Sequence, residues 1–192
     1  DCSDILNTIR SIKDKDEIAK MLAASQSNDA IMLELKSHFK IGMSEMELTK
    51  IAVELQSRQP QGGVSFDPIV VFTENGADPH AIASDRTLKQ GDTILIDMGG
   101  MLDGYASDMT RVYFTDTNSP LQEIYQIVLK ANEAAIAAIE IGKPLSSVDK
   151  AARDYITEQG YGQYFGHGIG HGIGLEIHEL CQPALPFRTT KL

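Results

Sequence analysis

Residues 93–114 read TILIDMGGMLDGYASDMTRVYF, and this stretch decides the fold. Thr93–Met98 is an apolar run of strand length, Tyr105–Phe114 is a second, and Asp103-Gly104 between them is a two-residue hairpin signal. Folding about that turn sets the residue opposite Asp97 near Thr110, with Asp108 one diagonal step away. Both aspartates then project from one face of the hairpin. Two like charges flanked by Ile94, Ile96 and Met98 are destabilising unless a cation or a shared proton relieves them. Plain surface acids at strand ends are the competing reading.

Working outward, Pro68–Phe72 reads as another strand and Glu74–Arg86 as a polar connection. Upstream, Ile18, Met21, Leu22, Ile31, Leu35 and Phe39 recur at helical spacing, which predicts a helix over 14–40. Gly42 ends it. Ser44 with Glu47 three residues on is a capping box opening a second helix to about Arg58, and Gln59–Gly63 is a loop. Downstream, two more helices are expected at about 119–141 and 145–159. Helices grouped around an antiparallel sheet define an α+β fold class.

The chain also echoes itself. Ile41-Gly42 and Ile141-Gly142 each end a helix, and Lys50 and Ala52 recur as Lys150 and Ala152. Helix, Ile-Gly, helix therefore occurs twice at an offset of one hundred positions, which reads as an internal repeat. On that reading the first half spends Gln59–Phe114 on strands, whereas the second has only Gly160–Leu192 left. The expectation is a single domain over 1–192, with halves of about 14–115 and 119–192 and the second half truncated.

The last segment carries the remaining chemistry, GHGIGHGIGLEIHE at 166–179. From Gly166 to Gly174 every even position is Gly, and the odd positions are His167, Ile169, His171 and Ile173. As a strand, one face holds two imidazoles and the other is bare, open to close approach by a backbone or ligand. A helix would also pair His167 with His171, but five glycines oppose it. Neutral imidazole suits a borderline divalent metal. A hydrogen-bonded structural role is the alternative for either histidine. His80, in TENGADPHAIASD, taken alone reads as a surface residue.

Composition bounds the rest. A net charge of −10 offers nothing to neutralise phosphates and argues against nucleic acid. No apolar run approaches the roughly 20 residues of a membrane span. Two cysteines, Cys2 and Cys181, make no disulfide framework, and the N-terminus has no export pattern, so a cytoplasmic location is expected. A thiol ligand or nucleophile at Cys181 is the lesser reading beside a free thiol. No phosphate-binding glycine loop and no nucleophile elbow occurs.

The run TENGADPHAIASDRTLKQGDTILIDMGGMLDGYASDMTRVYF, together with GHGIGHGIGLEIHE, resembles the catalytic domain of Xaa-Pro aminopeptidases and prolidases, the proline-specific branch of the pita-bread metallopeptidases. IRSIKDKDEIAKM, at 9–21, resembles the usual opening of that domain. The resemblance covers about residues 9–180. It implies a pita-bread fold of two pseudo-symmetric αβ halves and two divalent ions (Mn, Co or Zn) held by two Asp, one His and two Glu. Carried over by motif, Asp97, Asp108 and His171 fall on metal-ligand positions. His80, His167 and His178 fall on positions that contact substrate or assist proton transfer. The implied reaction is hydrolysis of the bond before proline by a metal-bridging water.

The family's two Glu ligands lie in later motifs that do not occur here, and Glu179 is not their substitute. The resemblance thus implies a C-terminally truncated chain without the family's N-terminal domain, from which little hydrolysis is expected alone. The expected partner is a peptide with proline second. A homodimer in which a second chain supplies the carboxylates stays open. So do a methionine aminopeptidase-like hydrolase and a non-catalytic peptide- or protein-binding member of the fold.

Overall fold

The computed structural model describes residues 3–59 and 62–180. Both cysteines, and part of the loop read at Gln59–Gly63, lie outside them. Five helices are described: α1 Ser3–Ser11, α2 Lys15–Lys36, α3 Glu45–Ser57, α4 Gln122–Ala137 and α5 Ser146–Glu158. The strands are β1 Ile69–Phe72, β2 Thr93–Met98, β3 Met101–Leu102, β4 Tyr105–Ala106 and β5 Met109–Phe114. The chain divides into two compact units. One is Ile12–Ser119 with Ile173–Ile177; the other is the described part of Asp1–Ser11, Pro120–Gly172 and His178–Leu192.

The sheet unit begins with two helices whose starts are written locally. Asp14 accepts the amides of Asp16 and Glu17 while Glu17 reaches back to the Asp14 amide, and Ser44 and Glu47 form the same reciprocal box for α3. The two helices pack on an antiparallel sheet of order β1-β2-β5. Alternation sends Val70, Phe72, Ile94, Ile96, Met98 and Met109 into one core with Ile31, Met32, Leu35, Leu48, Ala52 and Leu55. Leu35, Leu48 and Ala52 are fully buried.

One carboxylate is buried with them. Glu45, the first residue of α3, accepts the Phe72 amide at 2.7 Å, the Asn75 side-chain amide at 2.9 Å, and the Ser84 hydroxyl and amide at 2.6 and 2.9 Å. It ties the end of β1 and the connection after it to the helix start, where the dipole favours negative charge.

Two strand expectations are modified. Tyr105–Phe114 is two strands, not one: the Ser107 amide keeps the hairpin register by donating to Gly100 O, but the Gly100 amide donates to the Ser107 hydroxyl and the Ser107 carbonyl accepts from Ser65 instead, which interrupts the ladder. The predicted turn nevertheless joins β3 to β4, with Asp103 and Gly104 at φ +50° and +81° as such a turn requires. Gly166–Gly174 forms no strand; Gly172 makes a single bridge to Glu179, and Gly170 adopts φ +65°. Glycines leave the ladder no side chains to pack, so nothing enforces the extended form. Helix α1 has no counterpart in the sequence reading.

In the helical unit, α4 and α5 bury Ile127, Ala131, Ala135, Val148, Ala152 and Ile156 against each other. The echo at offset one hundred reappears in the backbone and in burial. Gly42 and Gly142 have φ +93° and +84°. Leu48, Ala52 and Gln56 on α3, and Val148, Ala152 and Ile156 on α5, are all buried. No described helix is long and apolar enough to cross a membrane.

Candidate functional site

Asp97 sits near the end of β2, opposite Ile69 on one side and Thr110 on the other. The Thr110 hydroxyl donates to Asp97 Oδ1 at 2.8 Å. The expected register holds, and Asp97 is a half-buried charge in an apolar strand. Asp108 lies one residue before β5, at the strand break, and is exposed. Beside it opens a cavity of about 340 Å³ lined by Ile18, Met21, Leu22, Ala106, Ser107 and Ile173.

The backbone linking the two aspartates is held tightly at Gly99. A Cβ there would stand 1.9 Å from Ser107 O and 2.2 Å from Ser65 Oγ, so only glycine lets the segments cross. The Ser65 amide donates to Gly99 O, and the Ser65 hydroxyl donates to Ser107 O, both at 2.9 Å. From the helices, Asn28 Nδ2 donates to Met98 O at 3.1 Å and Gln56 Nε2 to Gly99 O at 2.7 Å. Both amides are buried, and neither was singled out from sequence. Their signal was a polar residue on the apolar stripe of each helix, where burial demands a hydrogen-bond partner.

His80 is exposed, and its amide donates to Asp78 Oδ1 at 2.9 Å in a side-chain-closed turn. Flanking segments are clamped by Arg86, which bonds Glu74 through Nε at 2.8 Å and Asp92 through Nη1 at 2.8 Å. Those hydrogen bonds hold both carboxyl groups at about 2, well below the usual carboxylate range, and push the guanidinium further up.

In the helical unit, His167 is exposed, and its ring meets the Phe165 ring edge to face with centroids 4.8 Å apart. His167 Nδ1 lies 2.9 Å from Gly168 O and His171 Nδ1 lies 3.0 Å from Gly172 O. A carbonyl only accepts, so these contacts place the proton of a neutral ring on Nδ1 and direct the lone pair to Nε2. His171 and His178 come together, ring centroids 4.2 Å apart. Glu179 pairs with Arg10 at 2.7 Å. Asp149 and Arg153 on α5 reach the backbone before and after His167, contacts that the sequence reading also missed. Their opposite charges four residues apart were the available signal.

Carboxylate oxygens and imidazole nitrogens are suitable donors for a divalent cation. Among the described residues, however, no group of three or more His, Cys, Asp or Glu side chains gathers to hold one. The described residues do not form a metal cage by themselves.

The sequence matches the profile of metallopeptidase family M24 over residues 19–192. An uncharacterised peptidase of Staphylococcus aureus (strain bovine RF122 / ET3-1) is 40% identical over 175 residues, 91% of this chain and 50% of the relative. The X-Pro aminopeptidase of Thermotoga maritima superposes with TM-score 0.92 at 36% identity, over 98% of this chain and 54% of that one. The Xaa-Pro dipeptidase from Bacillus anthracis gives 0.91 at 39%, over 97% and 53%. Prolidase from Pyrococcus furiosus gives 0.92 at 34%, over 98% and 56%. The chain spans about half the length of the curated relatives it matches. These neighbours agree with the expected pita-bread fold and its α+β content.

Proposed function

The chain belongs to metallopeptidase family M24, and from that premise we propose that it carries part of the catalytic domain of an Xaa-Pro exopeptidase, hydrolysing the bond before proline. The observation that carries this reading is its likeness, at 34–39% identity and TM-scores of 0.91–0.92, to three solved peptidases named for Xaa-Pro or prolidase activity. The domain is read as two related halves, about 14–115 and 119–192. Asp97, Asp108 and His171 are assigned as part of the set that would hold divalent ions such as Mn²⁺, Co²⁺ or Zn²⁺. Such ions, when bound, supply an activated water and stabilise developing negative charge.

The chain's own residues bind and orient. His80, His167 and His178 are assigned to contact the peptide or move a proton. Hydrolysis adds hydroxide to the carbonyl carbon and a proton to the departing proline nitrogen. An imidazole with Nδ1–H engaged by a carbonyl offers Nε2 for that work. Thr110 fixes one oxygen of Asp97 by its hydrogen bond.

A second reading is a non-catalytic peptide-binding member of the fold. Titrating Ala-Pro and Met-Ala-Ser peptides into the chain, with and without Mn²⁺, separates these readings. Preference for Ala-Pro, strengthened by Mn²⁺, is expected. Preference for Met-Ala-Ser would move the chain to the methionine branch, and Ala-Pro binding indifferent to Mn²⁺ would favour the non-catalytic reading.

A further inference from the structure

Asp149 and Arg153 stand one turn apart on α5. Arg153 donates through Nε to Asp149 Oδ2 at 2.9 Å and through Nη2 to Oδ1 at 3.0 Å. The same guanidinium reaches off the helix, donating through Nη1 to Phe165 O at 3.0 Å and through Nη2 to His167 O at 2.8 Å. Its centre lies 4.5 Å from the centroid of the Phe165 ring. Asp149 Oδ1 in turn accepts the Ile169 amide at 3.1 Å. Residues 165, 167 and 169 are thus gripped at alternate positions by one ion pair.

A partly exposed helix ion pair contributes little to stability as such. Lys150 and Asp154, on the same helix, illustrate this: they too pair at four-residue spacing, exposed at 72% and 54%. What distinguishes Arg153 is the use of its planar fork, which binds a carboxylate and two carbonyls at once, a geometry that a lysine ammonium cannot reproduce. In the segment gripped, Phe165 and Ile169 pack on the helical core, while glycines at 166, 168 and 170 leave the backbone between them without side chains to hold it, so its course around His167 depends on such contacts.

We propose that Asp149 and Arg153 are positioning residues for His167: they fix the backbone on both sides of it and seat its ring against Phe165, so that the imidazole stands ready for a peptide. This rests on the reading of His167 as a substrate-contacting residue. The pair acts through the segment and is not itself assigned to touch substrate.

The test uses the 192-residue chain and its Arg153→Ala, Arg153→Lys, Asp149→Asn and Lys150→Ala variants. Three quantities are read by NMR: amide exchange at Ile169, ring-current shifts of His167 from Phe165, and His167 shifts on adding Ala-Pro. Both Arg153 variants are expected to speed Ile169 exchange by about tenfold or more, the effect of losing a charge-assisted anchor. They also release the His167 ring shift and weaken the Ala-Pro response, whereas Lys150→Ala leaves all three as in wild type. If Arg153→Ala does not fold, Arg153→Lys and Asp149→Asn carry the same readouts. Unchanged Ile169 exchange and His167 shifts in folded Arg153 variants would overturn the proposal, as would an Ala-Pro response equal to wild type. If wild type shows no Ala-Pro response while Ile169 and His167 respond to the variants, the peptide reading of His167 falls, and with it the purpose proposed for the grip, though the grip itself stands.

Discussion

The helix pair α2–α3 and the helix pair α4–α5 share a turn and a burial pattern, yet they bury different chemistry. In the first pair, Asn28, Glu45 and Gln56 are polar and almost wholly buried. Each binds something beyond the helices: Asn28 and Gln56 hold the carbonyls of Met98 and Gly99, and Glu45 holds Phe72, Asn75 and Ser84. At an offset of one hundred, the second pair has Val128, Leu145 and Ile156, all apolar. Val128 is 53% exposed, and with Ile124, Ile156, Tyr161, Tyr164 and Phe165 it lines a cavity of about 550 Å³. The same backbone design therefore yields a rigid support where buried polar groups grip a sheet. Where those positions are apolar, Leu145 and Ile156 are buried and Val128 stands half exposed on an open face.

Core truncation should break the symmetry most strongly. Leu35→Ala, at a fully buried position of the first pair, should cost about 2–5 kcal/mol in urea denaturation. A loss below about 1 kcal/mol would mean that this core is looser than its burial implies. Next comes the buried carboxylate. Glu45→Ala leaves the donors of Phe72, Asn75 and Ser84 without their acceptor and should cost about 3 kcal/mol, read in the same way.

Acid should act on the first pair's side through the Arg86 clamp. Glu74 and Asp92 both titrate near 2 in the folded chain, against ordinary values of 4.5 and 3.8. Because the folded values are depressed, their contribution is fully present above the ordinary values and is lost as pH falls towards about 2. The urea midpoint of wild type should drop over that window. In Arg86→Ala the drop should be shallower; an equal slope would show that the clamp does not set these carboxyl groups.

Smaller effects sharpen what the pairs share. Gly42→Ala and Gly142→Ala each force a side chain into positive φ with no atom within 4 Å of the new Cβ, so each should cost about 1–2 kcal/mol. Unequal costs would argue against equivalent turns. Smallest of all, Val128→Ala on the open face should change stability by no more than about 0.5 kcal/mol.

Much of this was legible in the residues. Capping signals are local chemistry, so Ser44 with Glu47 gave the start of α3 directly. An apolar run of strand length and the Asp-Gly turn gave β2 and the pairing of Asp97 with Thr110. Other features depend on contacts distant in sequence. Ser107 breaks the strand because of Gly99 and Gly100, which no periodicity within 105–114 encodes. The Gly-His run suggested a strand by its alternation, but alternation with glycine buries nothing. Helix α1 was passed over; its Ile5, Leu6 and Ile9 stay more than half exposed. The importance of Asn28 and Gln56 emerged only once their carbonyl partners were in place.

The most direct test of the site is substoichiometric Mn²⁺ added to the chain, read as paramagnetic broadening of the Asp97, Met109 and Thr110 amides. Selective broadening there, lost in both Asp97→Asn and Asp108→Asn, is the predicted result. Broadening that avoids these residues, or that persists in both variants, would contradict the assignment of Asp97 and Asp108 as metal ligands.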